Sequence, residues 1–435
     1  MGASLKPDGS SRKNVLVSSC IFMGLGHIIY LKQYIKGVLF AILEVIMLCA
    51  SPKLVQMIKD MIEISRWYPK IRPATFRLVD GIMALAVIAV FVIAYVISVR
   101  SALAGYEDYC IDGRCKSNKE SMQGAVGKAF PLLGLAPSLL LVVFFVIIPL
   151  LFSIIVGFTN WSMPDHLTPG APVNWVGLKN YFNMFGGDSS WTSAFGRVAA
   201  WTVIWGFLAT FTCYFGGMVL ATFLYEAKLK VTPVFRAILI LPYAIPSILT
   251  LKVWQNLLNG TTGAINATLR DLNIIQNNIP WLTDKILVKV VCILINMWVG
   301  VPYFMLLITG QMTAISSDVF EAATIDGANK FQIFKCITLP LVLYQTIPLV
   351  IMSFTHNINN FGAIFFLTGG DPKIGDTTVT GAGATDLLVT WIYKLTMNQQ
   401  KYCNASVLAM LVFVVLAPFA IFNFKNTKSY KEGEL

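Results

Sequence analysis

Ser353, His356, Asn357 and Asn360 stand at the spacing i, i+3, i+4, i+7 inside the apolar run TIPLVIMSFTHNINNFGAIFFLT. On one continuous helix those four positions share a face. Amides offer donors and an acceptor together, which suits the hydroxyls of a carbohydrate, and two of the four are amides. The stripe has a second reading. Polar side chains within a long apolar run are costly unless they meet each other, a neighbouring helix or a wet cavity. Hydrogen bonds between helices satisfy that need with no ligand at all. Spacing alone leaves both readings open.

The passage SSDVFEAATIDGANKFQIFKCITLPL, beginning at Ser316, is polar and alanine-led between two apolar runs. Asp318, three residues before Glu321, predicts a capped helix start. Val319, Ala322 and Ala323 share a face of that helix, and Gly327 supplies the residue able to take a positive φ at its end. A second helical run from about Asn329 is expected to close at Pro340. The outcome is a helix, a sharp turn and a helix, too short and too polar to cross a membrane. Alanine on its exposed face lets another backbone approach closely. Periodicity alone fits equally a helix lying flat on a membrane surface.

The elements that must carry these residues are membrane spans. Hydrophobic residues make up 56% of the 435, charged residues 13%, and the mean hydropathy is +0.69, a composition foreign to soluble domains. Runs long enough to cross a bilayer fall at about 81–99, 132–158, 198–225, 233–258, 286–310, 346–368 and 405–424. A shorter run at 34–50 carries Glu44 and brings the expected number to about eight. The fold class is all-α, a polytopic membrane protein. Upstream, VLVSSCIFMGLGHIIYL is interrupted by two glycines and His27 and runs directly into Lys32 and Lys36. It reads as an interfacial or re-entrant piece, and without a small-residue cleavage site it does not read as a removable signal peptide. Eight spans place both termini on one side. More Lys and Arg fall on the inner segments when the termini are cytoplasmic, although the expected outer loop at 51–78 narrows the margin with Lys53, Lys59, Arg66, Lys70, Arg72 and Arg77.

The net charge of +11 is scattered over many loops instead of lining one face, which argues for membrane topology and against a nucleic-acid partner. Cys20, Cys49, Cys213 and Cys292 lie in apolar segments, where a small buried thiol is the ordinary reading. Cys110 and Cys115 lie on the cytoplasmic, reducing side of this topology, and no zinc-type spacing surrounds them. Asn259, Asn266 and Asn404 begin N-x-S/T triplets of the kind expected by chance. There is no GxxxxGK[ST] loop to cradle a nucleotide phosphate, and no GxSxG, HExxH or paired-carboxylate constellation. His27, His166 and His356 are the only histidines. The chain reads as a conduit and not an enzyme.

The spacing Glu321, Ala322, Ala323, three residues, Gly327, nine residues, Ile337, one residue, Leu339 and Pro340 resembles the cytoplasmic EAA loop of the membrane subunits of bacterial ABC importers. The resemblance implies a type I ABC importer permease fold, with Glu321, Ala322, Ala323, Asp326, Gly327, Ile337, Leu339 and Pro340 coupling the chain to a separate ATP-binding subunit. It extends over about 130–425 toward the maltose and maltodextrin permease type. The passages that carry it are IIPLLFSIIVGFTNW (147–161), WVGVPYFMLLITGQMTAISSDVFEAATIDGA (298–328), SFTHNINNFGAIFFLTGGDP (353–372) and GATDLLVTWIYKL (383–395).

What that resemblance implies is specific. Sugar contacts fall on Ser353, His356, Asn357 and Asn360, with Val299, Gly300 and Tyr303 from the preceding span. The partners are a second homologous permease, two ATP-binding subunits that use ATP and Mg, and an extracellular sugar-binding lipoprotein; this chain itself binds no cofactor. Two departures stand out. The enterobacterial form has a large periplasmic domain after the span ending FTN, whereas here about 35 residues separate Trp161 from the next span, which suggests a Gram-positive version. It also has an aromatic residue where His356 stands, a departure that bears on sugar length and identity. The expected organisation is an N-terminal region 1–131 and a permease region 132–435, with a core of about 196–424 and a coupling loop at 316–340. The expected function is ATP-driven import of maltose or maltodextrin. The alternatives are import of another oligosaccharide, such as a galactoside or mixed-linkage sugar, and an ion-coupled transporter, for which only Glu44 and Glu226 stand near the spans as acids.

Overall fold

A computed structural model describes residues 9–65, 73–167, 172–226 and 232–425. The terminal basic residues beyond those limits, part of the expected 51–78 loop, and Lys228 and Lys230 lie outside the described residues. Every regular element described is helical, apart from one isolated antiparallel bridge between Thr159 and Trp175. Among the described residues, seven helices are long and apolar enough to cross a membrane, and a bent pair makes an eighth candidate. The chain divides into two compact units, Met1–Val176 and Gly177–Leu435.

The first unit contains α1 (Gly9–Ile21), α2 (Leu25–Ile29), α3 (Tyr34–Ile62), α4 (Ala74–Asp112), α5 (Asn118–Val142) and α6 (Ile148–Val156), the last two joined by a π-helical turn, Val143–Ile147. With 13 and 5 residues, α1 and α2 are each too short to span. They pack on α3 and α4 through Val15, Leu31, Ala102 and Tyr106. His27 is fully buried, with Nε2 3.2 Å from Ser101 Oγ. The Glu44 carboxylate accepts the backbone N–H of Met23, so this acid within a span meets a peptide donor in the α1–α2 turn.

Two of the expected boundaries shift in this unit. The first span does not stop at residue 50: α3 continues through Pro52 to Ile62. Proline cannot donate to the carbonyl four residues back, but Ser51 Oγ donates to Leu48 O at 2.7 Å and satisfies that orphan. Much of the loop expected at 51–78 is therefore helix, and Arg77 in the next helix donates to Glu63 O and Ile64 O. Nor is 100–131 an extended loop. α4 runs to Asp112 and α5 starts at Asn118 with a capping box between Ser117 and Glu120. Hydrogen bonds from Ser117 and Arg114 hold the Glu120 carboxyl below its ordinary range.

The second unit holds α7 (Lys179–Phe182), α8 (Ser189–Glu226), α9 (Thr232–Ala244), α10 (Ser247–Leu257), α11 (Ala264–Asp271), α12 (Leu287–Thr313), α13 (Ser317–Ile325), α14 (Lys330–Ile333), α15 (Leu339–Ile358), α16 (Phe361–Thr368), α17 (Thr377–Thr380), α18 (Leu388–Tyr393) and α19 (Tyr402–Lys425). The pair α8 and α12 forms its spine. Gly217 makes the close approach possible: a Cβ there would lie 2.5 Å from Phe304 Cβ and 2.7 Å from Met305 N. Around this contact Cys213, Tyr214, Met218, Met305, Ile308 and Met312 are buried together, and Tyr214 OH bonds Thr346 Oγ1 of α15 at 2.7 Å.

Three sequence expectations are corrected here. The span expected at 233–258 is two helices bent by 87° at Ile245–Pro246, because Pro246 lacks an N–H and disfavours helix in the residue before it. The span expected at 346–368 ends at Ile358, and a new helix begins at Phe361. Asn360 Oδ1 accepts from Ala363 N at 3.2 Å, an N-cap bond that competes with helix continuation. Conversely, Pro340 closes nothing. A π-helical turn at Phe334–Thr338 precedes it and α15 runs on, since the widened turn accommodates a residue without an amide donor. The same arrangement occurs at Pro149, two residues after the π turn Val143–Ile147.

Between α16 and α19 the chain is tied down by polar contacts. Arg197 of α8 pairs with Asp376 at 2.8 Å and donates to Gly383 O at 2.7 Å. Asp386 is fully buried and accepts from Gly383 N, Thr390 Oγ1 and Lys394 Nζ at 2.7, 2.9 and 2.7 Å. Burial pushes its carboxyl above the ordinary range, against the opposing pull of Lys394.

Candidate functional site

Periodicity on α12 places Asn296, Val299, Gly300 and Tyr303 on one face at i, i+3, i+4, i+7. On α15, Ser353, His356 and Asn357 share a face, and the break after Ile358 turns the chain without removing Asn360 from their company. All these residues line one cavity of about 370 Å³, a size typical of small-molecule sites, roughly 300–1,000 Å³. Val299, Gly300, Tyr303, Ser353, His356, Asn357 and Asn360 are thus brought together on the wall of one cavity. Asn360 arrives as the cap of a new helix and not as the fourth member of a continuous stripe.

Cys213, Tyr243, Phe304, Leu349 and Met352 complete much of the wall. Tyr243, near the end of α9, brings its ring within 5.8 Å of the Tyr303 ring, centroid to centroid. Two aromatic faces with polar tips therefore share the wall with amides and a hydroxyl, and no Asp, Glu, Lys or Arg is among the described lining residues. Such a surface matches a neutral, polyhydroxylated molecule with apolar ring faces.

Asn357 serves both readings of the polar stripe. It is 8% exposed, its Nδ2 donates to Thr210 Oγ1 of α8 at 2.9 Å, and its backbone carbonyl accepts Trp205 Nε1 at 3.2 Å. The interhelical bond is made, and Oδ1 is left for the cavity. In Asn360 the roles reverse: Oδ1 is the cap and Nδ2 is left. Ser353 Oγ and the His356 ring have no hydrogen-bond partner among the described residues.

Asn296 is a lining residue that the sequence reading passed over. Its Nδ2 lies 3.4 Å from Cys213 Sγ, which points to the Asn296 carbonyl at 3.5 Å. The signal was present in its register with Val299, Gly300 and Tyr303. Tyr243 had no such signal, because the bend at Pro246 was not anticipated.

The alanine-led segment forms the anticipated helix, turn and helix, with a different cap. Ser316 Oγ accepts from Asp318 N at 3.3 Å, so the expected pairing of Asp318 with Glu321 is not the capping contact. Gly327 has φ +79°, and Asn329 forms a capping box with Gln332 at the start of α14. Glu321, Ala322, Asp326 and Pro340 are exposed, Ala323 is buried, and Ile337 and Leu339 are half-buried. Ile325 and Phe331 flank the turn at 86% and 70% exposure, an apolar surface on a segment too short to span.

Residues 214–425 match the family described as the binding-protein-dependent transport system inner membrane component. Over 421 residues the chain is 35% identical to the galactooligosaccharides transport system permease protein GanP of Bacillus subtilis, covering 97% of this chain and 99% of that one. It is 31% identical to the maltodextrin transport system permease protein MdxF of the same organism, over 83% of each chain. Against the maltose/maltodextrin transport system permease protein MalF of Vibrio vulnificus the identity is 39% over 204 residues, 46% of this chain and 38% of that one. Among solved structures, a chain of a bacterial ABC transporter involved in the import of the acidic polysaccharide alginate superposes with a TM-score of 0.56 at 18% identity, covering 71% of this chain and 100% of that chain. That likeness is one of fold.

Proposed function

The chain belongs to the family of binding-protein-dependent transport system inner membrane components, and from that premise we propose that it is the permease subunit of an ATP-driven importer of neutral oligosaccharides. The observation that carries the cargo class is the cavity, whose amides, hydroxyl and paired tyrosines come without a formal charge from Asp, Glu, Lys or Arg. An acidic sugar would be left unneutralised there.

Two sugars are supported at finer grain. Maltodextrin fits the motifs around Ser353–Asn360 and the relative MdxF. A galacto-oligosaccharide fits the similarity to GanP along nearly the whole chain. The core of the permease is about 196–424 within the region 132–435, preceded by the region 1–131. Both termini face the cytoplasm of a Gram-positive cell. Glu321, Ala322, Ala323, Asp326, Gly327, Ile337, Leu339 and Pro340 dock in one of two ATP-binding subunits, which hold ATP and Mg. A second homologous permease and an extracellular sugar-binding lipoprotein complete the assembly. The exposed Ile325 and Phe331 support a protein partner at this segment.

The test is sugar-stimulated ATP hydrolysis by the reconstituted assembly, using malto- and galacto-oligosaccharide series and an oligouronate of matched length. Neutral sugars are expected to stimulate and the oligouronate is not. Transport by this chain alone, down a gradient or with a proton, would overturn the ATP-driven reading.

A further inference from the structure

A second polar cleft of about 690 Å³ opens at the far end of α10, between Gln255–Thr261 and Asn278–Thr283. Its walls are locked together by Asn266, which is 1% exposed. Asn266 Nδ2 donates to Gly260 O at 3.2 Å and Ile279 O at 3.0 Å, while Oδ1 accepts Ile279 N at 3.2 Å and Trp281 Nε1 at 3.0 Å. Asn278 Nδ2 adds a bond to Gly260 O at 2.8 Å, so both lips are fixed to one carbonyl. An internal role therefore consumes the hydrogen-bonding capacity of this triplet asparagine.

The groups facing the opening are less committed. Asn259 Oδ1 is used in its own turn by Thr261 and Thr262, and Gln255 Oε1 by Lys252. That leaves Asn259 Nδ2, Gln255 Nε2, Asn278 Oδ1 and the whole Asn256 amide without a side-chain partner among the described residues. Donors and acceptors are both present, none of the described lining residues is charged, and Pro280 and Leu282 supply an apolar wall. Phosphate, carboxylate and metal ions meet no opposite charge here. A neutral sugar needs none, and it can place hydroxyls on the amides and a C–H face on the proline and leucine.

The position is informative. Ser247, the first residue of α10, lines a small recess of about 70 Å³ that shares Asn296, Val299 and Asn360 with the central cavity. Asn256 lies nine residues further along the same helix, about 14 Å by helical rise. α12 separates the cleft from the 317–333 segment, since it begins at Leu287 beside the cleft and ends at Thr313 beside Ser317. We propose that this cleft is a second carbohydrate site, through which a neutral oligosaccharide is held by Gln255, Asn256, Asn259 and Asn278 on the side away from the coupling segment before it reaches the cavity. The proposal rests on the oligosaccharide reading given above.

The experiment uses the full chain in nanodiscs and saturation-transfer NMR with maltotetraose and galactotetraose, with a tetra-uronate as the charged control. Ser353→Trp fills the central cavity, and Asn256→Trp fills the cleft. With the cavity filled, a neutral tetrasaccharide is expected still to bind, Asn256→Trp is expected to abolish that residual binding, and the double truncation Gln255→Ala/Asn256→Ala to weaken it about tenfold. Residual binding unaffected by Asn256→Trp would overturn the second site, as would its complete absence in Ser353→Trp alone; either result leaves the central-site function standing. Failure of the wild-type chain to bind any neutral tetrasaccharide would overturn both.

Discussion

Asn357 illustrates how one side chain can hold a helix pair and face a cavity, and its two roles separate by mutation. Thr210→Val removes the acceptor of Asn357 Nδ2 at a buried position that does not line the cavity. It is expected to destabilise the protein by about 0.6–1.7 kcal/mol, the range of an intramembrane hydrogen bond, with the sugar profile of ATP hydrolysis unchanged. His356→Phe, at an exposed lining position, is expected to change that profile and leave the melting temperature in place. Lower melting temperatures with unchanged profiles in both variants would favour helix attachment over ligand binding. Outside the spans, Asp386 gives a charge test. Its raised carboxyl pKa means that its contribution to stability is greatest below the ordinary carboxylate range and is lost as pH rises through the folded-state value. Lys394→Met strands that carboxylate and is expected to cost about 3–5 kcal/mol at neutral pH, partly regained on acidification. A melting series over pH checks the sign; a loss that does not shrink in acid would contradict it.

At the scale of elements, the turn between α13 and α14 depends on Gly327. No atom lies within 4 Å of a Cβ built there, so only its φ of +79° opposes substitution. Gly327→Val is expected to strain the turn by about 1–3 kcal/mol and to abolish uptake while insertion persists. Gly327→Asn, which tolerates this conformation, should retain most uptake. Full uptake and normal co-purification with the ATP-binding subunit in the valine variant would remove the coupling role. The turn was legible because glycine spacing and capping residues are local signals. Helix breaks were less so. Pro246 bends its helix by 87°, Pro340 is passed through a π turn, and Pro52 is passed with help from Ser51. At Pro52 a side chain satisfies the freed carbonyl and at Pro340 a widened turn precedes the ring, and neither device is announced by the proline itself. The break at Asn359–Asn360 had no proline or glycine to announce it. On α12, Val299 and Gly300 carry no polar signal of their own and entered only through the family resemblance, while Asn296, in register with them, was passed over.

For the whole molecule, hydropathy marked a run that overlaps each long span among the described residues, because twenty apolar residues have few other places to go. It placed their ends poorly where polar residues continue a helix beyond the hydrocarbon layer, as at both ends of α4. Within the second unit, α12 covers 27 residues, about 40 Å, from the amide-lined cleft past the central cavity to the 317–333 segment. Pro302 is buried in it, next to Tyr303, and leaves the Trp298 carbonyl without its usual helical donor. α12 is thus a strut whose missing hydrogen bond lies at the level of the cavity. A strut loaded at either end is expected to bend first where a hydrogen bond is missing, which in α12 is beside the cavity.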